Sequence, residues 1–192
     1  MNMKPNQVIH FSKLNHAQRV LATKRIARMP IRVVSILVHK PALDEQETFK
    51  GQGNRLYFFT LRLLFERISW LCRDSDADGQ CKLMFEHCKG LKYDDLADYI
   101  SMLQGMNTKV HWPGLKTDKL YVQNKKSIAA FQLADCCASS FQWALAEKHS
   151  FTEHRFAKNL KPVVYCNGLN YQSYGLKFLS GSPNIHWVSK YY

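Results

Sequence analysis

IRVVSILVHK, the segment from Ile31 to Lys40, gives the clearest structural signal in this chain of 192 residues. It is dominated by β-branched and aliphatic residues, which favour a strand. Both faces of that strand would be apolar, as in a strand that is covered on both sides of a parallel sheet. Pro41 follows at once and ends the pattern, because proline has no backbone N–H to donate to a sheet. We therefore predict a central strand.

Helical and strand patterns alternate on both sides of this segment. Upstream, the pattern predicts a helix from Asn15, which can cap it, to Met29, just before Pro30. Downstream, it predicts a helix over about 54–72, a strand over 81–89, a helix at "YDDLADYISMLQ", a short strand at "KVHWP", and helices over about 127–148 and 153–160. This alternation predicts an α/β fold in which helices flank the sheet. Residues from about 161 to 192 are predicted to form an irregular, basic segment.

Length and composition set the broad class of the protein. A chain of 192 residues predicts a single domain over residues 1–192. The apolar stretches are too short to span a bilayer, and the first residues lack the apolar region of a signal peptide, so we expect a cytoplasmic protein without a membrane partner. The six cysteines show neither a CxxC pair nor a zinc-ribbon spacing, which predicts reduced thiols packed in the core.

Charge is the most informative feature of the composition. The formal net charge is +12; residues 1–43 contain eight Lys or Arg and no Asp or Glu, and residues 154–192 contain five and again none. Two basic ends around a nearly neutral centre suit a polyanionic partner, with nucleic acid first. A basic surface without a specific partner is the alternative. The candidate phosphate contacts are Arg25, Arg28, Lys40, Lys126 and Lys177.

Glu86 lies on the predicted strand CKLMFEHCK, residues 81–89. Side chains alternate along a strand, so Glu86 shares a face with Met84 and Cys88. It also lies near the end of the strand, and in open α/β sheets that end borders the ligand crevice. Glu86 is therefore a candidate metal ligand or catalytic carboxylate, with a surface ion pair as the alternative.

Asp135 interrupts an apolar helical pattern, SIAAFQLADCCASSFQWALA, residues 127–146. An ionised carboxylate among Leu, Ala and Phe is costly unless something pairs with it. Helical spacing places Asp135 with Phe131 and Ala138, on a face that we expect to pack on the sheet. There it would meet Glu86, and two close carboxylates call for a cation such as Mg²⁺ between them. A nearby lysine or backbone amide is the alternative partner.

Two further acidic features have plainer interpretations. Glu66 lies on a largely apolar helix directly beside Arg67, which favours a structural ion pair. The string DSDADG at residues 74–79 is similar to the start of a calcium loop, but an EF-hand requires Glu where Phe85 stands, and a helix where this chain predicts a strand. No P-loop, nucleophile elbow or HExxH pattern is present in the sequence.

Seven stretches, in the same order and over nearly the whole chain, resemble the family catalogued as domain of unknown function 3800. They are IHFSKL, VVSILVHK, YFFTLRLLFERISWLCRD, LMFEHCKGLKYDDLADYI, QLADCCASSFQWA, TEHRFAKNLKPVVY and YGLKFL. Each stretch alone is a weak signal, whereas seven in order are more specific.

The resemblance implies a ribonuclease H-like fold, with a mixed sheet flanked by helices. It also implies a nuclease-like site that acts on nucleic acid phosphodiesters and binds Mg²⁺ or Mn²⁺ weakly, with Asp135 and Glu86 as the catalytic and metal-binding residues. Such proteins are often met in bacterial, phage-related and mobile-element contexts, so a role in phage or mobile-element defence is expected. A catalytically inactive module of the same fold, which binds nucleic acid or a partner protein, is the alternative.

The chain departs from that family at its start. The family opens with a strand that carries an Asp-Glu-Ser-Gly motif and a hairpin before the IHF segment, which begins here at Ile9. We therefore expect an N-terminally shortened sheet without the first-strand acid. A truncated or mis-started chain, a strand supplied by another chain, and an inactive site are three explanations. Because exposed sheet edges pair with other chains, we expect a homo-oligomer or a partner subunit at that edge.

Overall fold

A computed structural model of the chain describes residues 9–39, 54–125, 128–146, 153–179 and 186–192. Within these ranges, the helices are α1 (His16–Ile26), α2 (Arg55–Asp74), α3 (Tyr93–Gln104), α4 (Ala129–Leu145), α5 (Arg155–Leu160) and α6 (His186–Tyr191). The strands are β1 (Ser35–Val38), β2 (Cys81–Glu86), β3 (Leu115–Gln123) and β4 (Leu176–Leu179). The predicted α/β class is confirmed.

The chain divides into two compact units. The first unit comprises Met1–Val38 and Asn124–Tyr192, and the second unit comprises His39–Gln123. Each has its own cluster of buried apolar side chains. The single ribonuclease H-like domain that the sequence suggested stays a prediction.

The first unit is built around the parallel pair β1–β4, in which Ser35 is opposite Leu176 and Val38 is opposite Leu179. Helix α1 begins at the predicted cap: the Gln18 backbone N–H donates to Asn15 Oδ1 at 2.9 Å, and the Asn15 N–H donates to Gln18 Oε1 at 3.0 Å. This reciprocal arrangement satisfies two N–H groups that the helix itself leaves unpaired. The buried core includes side chains from each described helix and strand of the unit: Phe11, Ile26, Leu37, Phe141, Phe156, Leu160, Leu176 and Val188.

The second unit pairs β2 with β3, again in parallel, so that Glu86 is opposite Gln123. The alternation predicted for β2 is confirmed, because Leu83 is buried while Lys82, Met84 and Glu86 are exposed. The long helix α2 supplies Leu61, Phe65 and Cys72 to the core of this unit. No helix in the described ranges is both long and apolar enough to cross a bilayer.

The described strands bear on three predictions. The strand predicted at KVHWP is wrong: a 3-10 turn, Trp112–Gly114, with Pro113 in its first positions, takes its place, and the strand follows it as β3. The segment beginning at Ile31 contains β1, which has β4 as its one neighbour among the described strands, and the described strands form two separate parallel pairs. Its central place in one mixed sheet therefore stays a prediction.

Two further predictions, on the C-terminal segment and on the buried face of α4, also need correction. The segment over 161–192 is not irregular throughout, because it contains β4 and α6. On α4 the buried face consists of Phe131, Cys136, Cys137, Ser140, Phe141 and Ala144, while Ala138 is exposed and Asp135 is half-buried. The face that packs inward is therefore the one that contains Cys136 and Cys137 and, one turn further on, Ser140 and Phe141. It is more apolar than the face that contains Asp135.

Candidate nucleic-acid interface

Asp135 is paired with a basic side chain of the first unit. Its Oδ2 lies 3.0 Å from Lys125 Nζ, in an ion pair whose side chains are 31% and 15% exposed. Lys125 lies just after β3, in the connection that leads to α4. The ammonium group of a nearby lysine therefore stabilises the carboxylate on this apolar helix. A lysine is one of the partners considered from the sequence.

Asp135 also affects the thiol beside it. The pKa of Cys136 is raised to about 11, mainly by burial and also by the negative charge of Asp135, while Lys125 opposes this rise. Burial likewise raises the pKa of Cys137 to about 12. Both thiols are buried in the core, so they are protonated at neutral pH and pack as small apolar groups, in agreement with the sequence.

Glu86 is exposed at the last position of β2, in the second unit, whereas Asp135 belongs to the first unit. No group of three His, Cys, Asp or Glu side chains within the described ranges is arranged to hold a metal ion. The carboxylate of Asp135 already faces an ammonium group, so its present surroundings suit an ion pair and not a divalent cation. The shared Mg²⁺ or Mn²⁺ site at Asp135 and Glu86 stays a prediction.

Charge divides between the two units. The first unit contains 15 Lys or Arg and three Asp or Glu, so it carries the entire formal net charge of +12. The second unit contains 12 residues of each sign and is formally neutral. The two basic ends that the sequence displays separately thus belong to one compact body.

The acids described in the first unit do not cancel its basic surface. Asp135 is held by Lys125, and Glu153 lies 3.3 Å from Arg155 Nε and 3.7 Å from His16 Nδ1. The remaining described Lys and Arg side chains of this unit form no ion pair with a described acid. Their positive charges are therefore not neutralised by an acid that the structure describes.

The predicted phosphate contacts have different surroundings. Arg25 and Arg28 are exposed at the end of α1 and just beyond it, while Lys177 is half-buried on β4. All three belong to the first unit. Lys40 and Lys126 lie outside the described residues.

A second cluster in the first unit was not predicted as a site. We call it the lysine–tyrosine pocket, and it is a broad, open cavity of about 700 Å³ lined by Lys158, Asn159, Lys161, Pro162, Tyr171, Lys190 and Tyr191. It contains three lysines and no acid. The sequence signal was the acid-free stretch 154–192, in which these lysines and tyrosines all lie.

The walls of the lysine–tyrosine pocket are fixed by buried contacts. On α5, Asn159 Nδ2 donates to Thr23 Oγ1 at 3.0 Å, and Thr23 is fully buried. Beyond α6, the Tyr192 hydroxyl donates to the Ala157 carbonyl at 2.6 Å, while Val188 packs in the core. The pocket is therefore formed by elements that the core of the first unit holds in place.

The pKa of one neighbouring histidine is also perturbed. Burial lowers the pKa of His154, Glu153 opposes that effect, and the positive charge of Lys190 adds to it. His154 is therefore uncharged at neutral pH, and the positive charge of the lysine–tyrosine pocket comes from its lysines.

The other acidic features of the sequence have structural partners in the second unit. Glu66 is buried and lies 3.4 Å from Arg62 Nε and 3.5 Å from Arg67 Nη1, which confirms the predicted ion pair. In the DSDADG segment, Asp78 Oδ2 lies 2.8 Å from His111 Nε2.

The chain matches no family model, no curated protein and no solved structure. The resemblance to the domain of unknown function 3800 family therefore stays a prediction. What is established about the fold is the α/β class, with two small parallel sheets among the residues that the structure describes.

Proposed function

We propose that this protein binds nucleic acid and that the first unit makes the contact. The observation that carries this proposal is the division of charge: the whole net charge of +12 belongs to the first unit, and the second unit is neutral. A concentrated positive field attracts polyanions over distances of about a Debye length and guides their approach. Nucleic acid is the polyanion whose phosphate charges are spaced regularly enough to meet many such lysines and arginines at once.

The finer fold assignment belongs to the same proposal. A ribonuclease H-like fold is supported by the α/β class, by the parallel pairing of β1 with β4 and by the packing of α4 against β1. A role in phage or mobile-element defence follows from the resemblance and belongs to the same proposal, as does the cytoplasmic location expected from the composition of the sequence.

Binding is tested by fluorescence anisotropy with short DNA and RNA oligonucleotides at several salt concentrations. The logarithm of the affinity should fall linearly with the logarithm of the salt concentration, by about 0.7 to 0.9 per phosphate contacted. The double variant Arg25→Gln/Arg28→Gln should bind more weakly than the wild type. Lys89→Gln/Lys109→Gln is the matched control, because it removes two exposed charges from the neutral second unit.

Binding that is insensitive to salt, or no binding in 50 mM salt, would contradict the proposal. So would an equal loss in both double variants, because net charge alone would then account for the affinity and the first unit would have no special part.

Metal-dependent cleavage of phosphodiesters is the second candidate, and the resemblance at QLADCCASSFQWA is what favours it. When bound, Mg²⁺ or Mn²⁺ would activate water and stabilise the leaving oxygen. Asp135 could serve such an ion only after release from Lys125. Incubation of labelled single- and double-stranded substrates with each metal, for wild type and Asp135→Ala, tests it: cleavage lost in the variant supports the proposal, and no cleavage in the wild type contradicts it.

A partner at a sheet edge is the last part of the proposal. It is supported by β1, which has a single described neighbour and therefore leaves one edge without a described strand. Edges of this kind pair readily with other chains. Light scattering should give a mass above 22.3 kDa at high protein concentration, and a monomer throughout would count against a homo-oligomer.

A further inference from the structure

We propose that the lysine–tyrosine pocket holds one nucleotide of a single-stranded nucleic acid, with its phosphate among the ammonium groups of Lys158, Lys161 and Lys190. This inference rests on the proposed nucleic-acid binding and deepens it, because it names the form of the ligand and the place of one contact.

The first argument concerns the charge of the lysine–tyrosine pocket. Each of its lysines lies over a tyrosine ring: Lys158 Nζ is 4.9 Å from the centre of the Tyr191 ring, Lys190 Nζ is 5.5 Å from the same point, and Lys161 Nζ is 5.3 Å from the centre of the Tyr171 ring. An aromatic ring attracts an ammonium group through its quadrupole. A carboxylate would neutralise the ammonium group. A ring has no net charge, so it orients the ammonium group and leaves its positive charge in place. Three ammonium groups therefore line one cavity, and none of them forms an ion pair with an acid that the structure describes.

The second argument concerns preorganisation. Lys158 and Lys161 stand on either side of Asn159, whose amide is fixed on the buried hydroxyl of Thr23. Lys190 stands on α6, which the buried Val188 holds in the core. A site that is already assembled loses less conformational entropy when its ligand binds. Ammonium groups in such a frame are suited to the oxygens of a phosphate group, with which they form charge-assisted hydrogen bonds.

The third argument concerns size and shape. A cavity of about 700 Å³ lies within the range of about 300–1,000 Å³ that small-molecule sites occupy, so a nucleotide unit fits. A duplex keeps its bases paired inside and offers only its backbone to a concave surface. A single strand can turn a base and its phosphate inward, where the base can replace an ammonium group over the ring of Tyr171 or Tyr191 when that ammonium turns to the phosphate. The pocket therefore favours single strands.

The test uses the full chain and fluorescence anisotropy with a labelled 12-nucleotide poly-dT strand and a 12-base-pair duplex. The pocket variant is Lys158→Gln/Lys161→Gln/Lys190→Gln. The control variant is Lys89→Gln/Lys109→Gln/Lys116→Gln, which removes the same charge from exposed positions of the second unit. Loss of this one phosphate contact should make the salt dependence of single-strand binding shallower by about 0.7 in the pocket variant, whereas the control variant should keep the wild-type slope.

A further variant separates stacking from charge. Tyr191→Leu keeps all three lysines but removes a ring, and it should weaken single-strand binding by about tenfold with little effect on the salt slope. Circular dichroism and thermal melting establish that each variant folds. If the triple variant does not fold, Lys158→Gln alone replaces it, because Lys158 is exposed, and its slope should become shallower by at most about 0.7.

The outcomes distinguish the two levels of the proposal. Equal losses in the pocket and control variants overturn the assignment of the lysine–tyrosine pocket and leave general nucleic-acid binding standing. A pocket-dependent affinity that is as strong for the duplex overturns the preference for single strands. No binding of either oligonucleotide by the wild type overturns the proposed function itself, and pocket-dependent binding to phosphatidylserine vesicles in that case would assign the site to a membrane surface.

Discussion

The ion pair between Lys125 and Asp135 allows a direct test of the role of the carboxylate on the apolar helix α4. Two variants remove one partner each: Lys125→Met, which keeps the length of the side chain, and Asp135→Asn, which keeps its shape. If Lys125 is the structural partner of this carboxylate, each single variant lowers the free energy of unfolding. The double variant then lowers it by less than the sum of the two single variants.

The size of the effect follows from the geometry. The two atoms are 3.0 Å apart, and the side chains are 15% and 31% exposed, so the pair lies between a surface pair and a buried one. Exposed pairs contribute about 0–1 kcal/mol, and the removal of one partner from a buried pair costs about 3–5 kcal/mol. We expect a loss of about 1–2 kcal/mol for each single variant and a coupling free energy of about 1 kcal/mol in the double-mutant cycle.

The same pair predicts how a divalent cation behaves. A cation that binds Asp135 has to displace the Lys125 ammonium, so the pair weakens its apparent affinity by about tenfold for each 1.4 kcal/mol. In Lys125→Met the carboxylate is released, and Mn²⁺ at ten times its Kd stabilises the fold by about 1.4 kcal/mol. For a chain of this size, that corresponds to an increase of about 3–6 °C in Tm.

The assay is thermal unfolding with and without 10 mM Mn²⁺, for the wild type, both single variants and the double variant. The increase in Tm should be largest in Lys125→Met, smaller in the wild type and absent in Asp135→Asn. An increase that persists in Asp135→Asn places the metal elsewhere. Equal increases in the wild type and Lys125→Met would refute the competition, and a coupling free energy near zero would refute the structural role of the pair.

Three further predictions concern the rest of the molecule. Gly175→Ala should lower the free energy of unfolding by about 3 kcal/mol, because its Cβ would lie 2.8 Å from Tyr165 N and closer still to the carbonyl oxygen of Tyr165; urea denaturation measures this. Glu66→Gln should also cost about 3 kcal/mol in the same assay, because it leaves the buried guanidinium of Arg67 without its charged partner. The thiol of Cys136, whose pKa is raised to about 11, should not react with a disulfide reagent at pH 8 in the folded protein.

Matched controls separate these effects from nonspecific ones. Gly105→Ala places its methyl group no closer than 3.5 Å to another residue, so its effect should stay within about 0.5 kcal/mol; an equal cost at both glycines contradicts the clash. Glu66→Met/Arg67→Met should recover much of the loss, because an apolar pair replaces a buried ionic one. Cys88 is exposed and should react quickly at pH 8; equal rates for Cys88 and Cys136 contradict the burial argument.

Local signals in the sequence predicted every described helix except α6. Asn15 and Pro30 bracket α1 because a cap and a breaker act within one turn of the chain, and the capping contact forms as expected. The strand β3 was missed, because its sequence LKTDKLYVQ has polar residues at inward and outward positions alike. This segment forms a strand because it pairs with β2. The pattern of polar and apolar residues within the segment does not predict that pairing.

The candidate interface was predictable only in part. Asp135 was conspicuous because a carboxylate in an apolar helix requires a partner, but the choice of Lys125 depends on how the chain turns between β3 and α4. The lysines of the lysine–tyrosine pocket come from α5, from the 3-10 turn Lys161–Val163 and from α6. No periodicity relates those segments, so only the packed fold brings their ammonium groups to one cavity.

The pairing of β1 with β4 has an electrostatic consequence. Seven of the 15 basic residues of the first unit come from residues 1–38 and eight from residues 124–192, and the parallel register of Ser35 with Leu176 joins those two segments in one sheet. Two basic termini that extended separately into solvent would repel each other weakly, because salt screens charges beyond about 10 Å. Gathered in one compact unit, the same charges repel strongly and oppose the folded state. A polyanion bound to that unit would relieve the repulsion, so the arrangement that costs stability in the free protein would also favour the nucleic-acid binding that we propose.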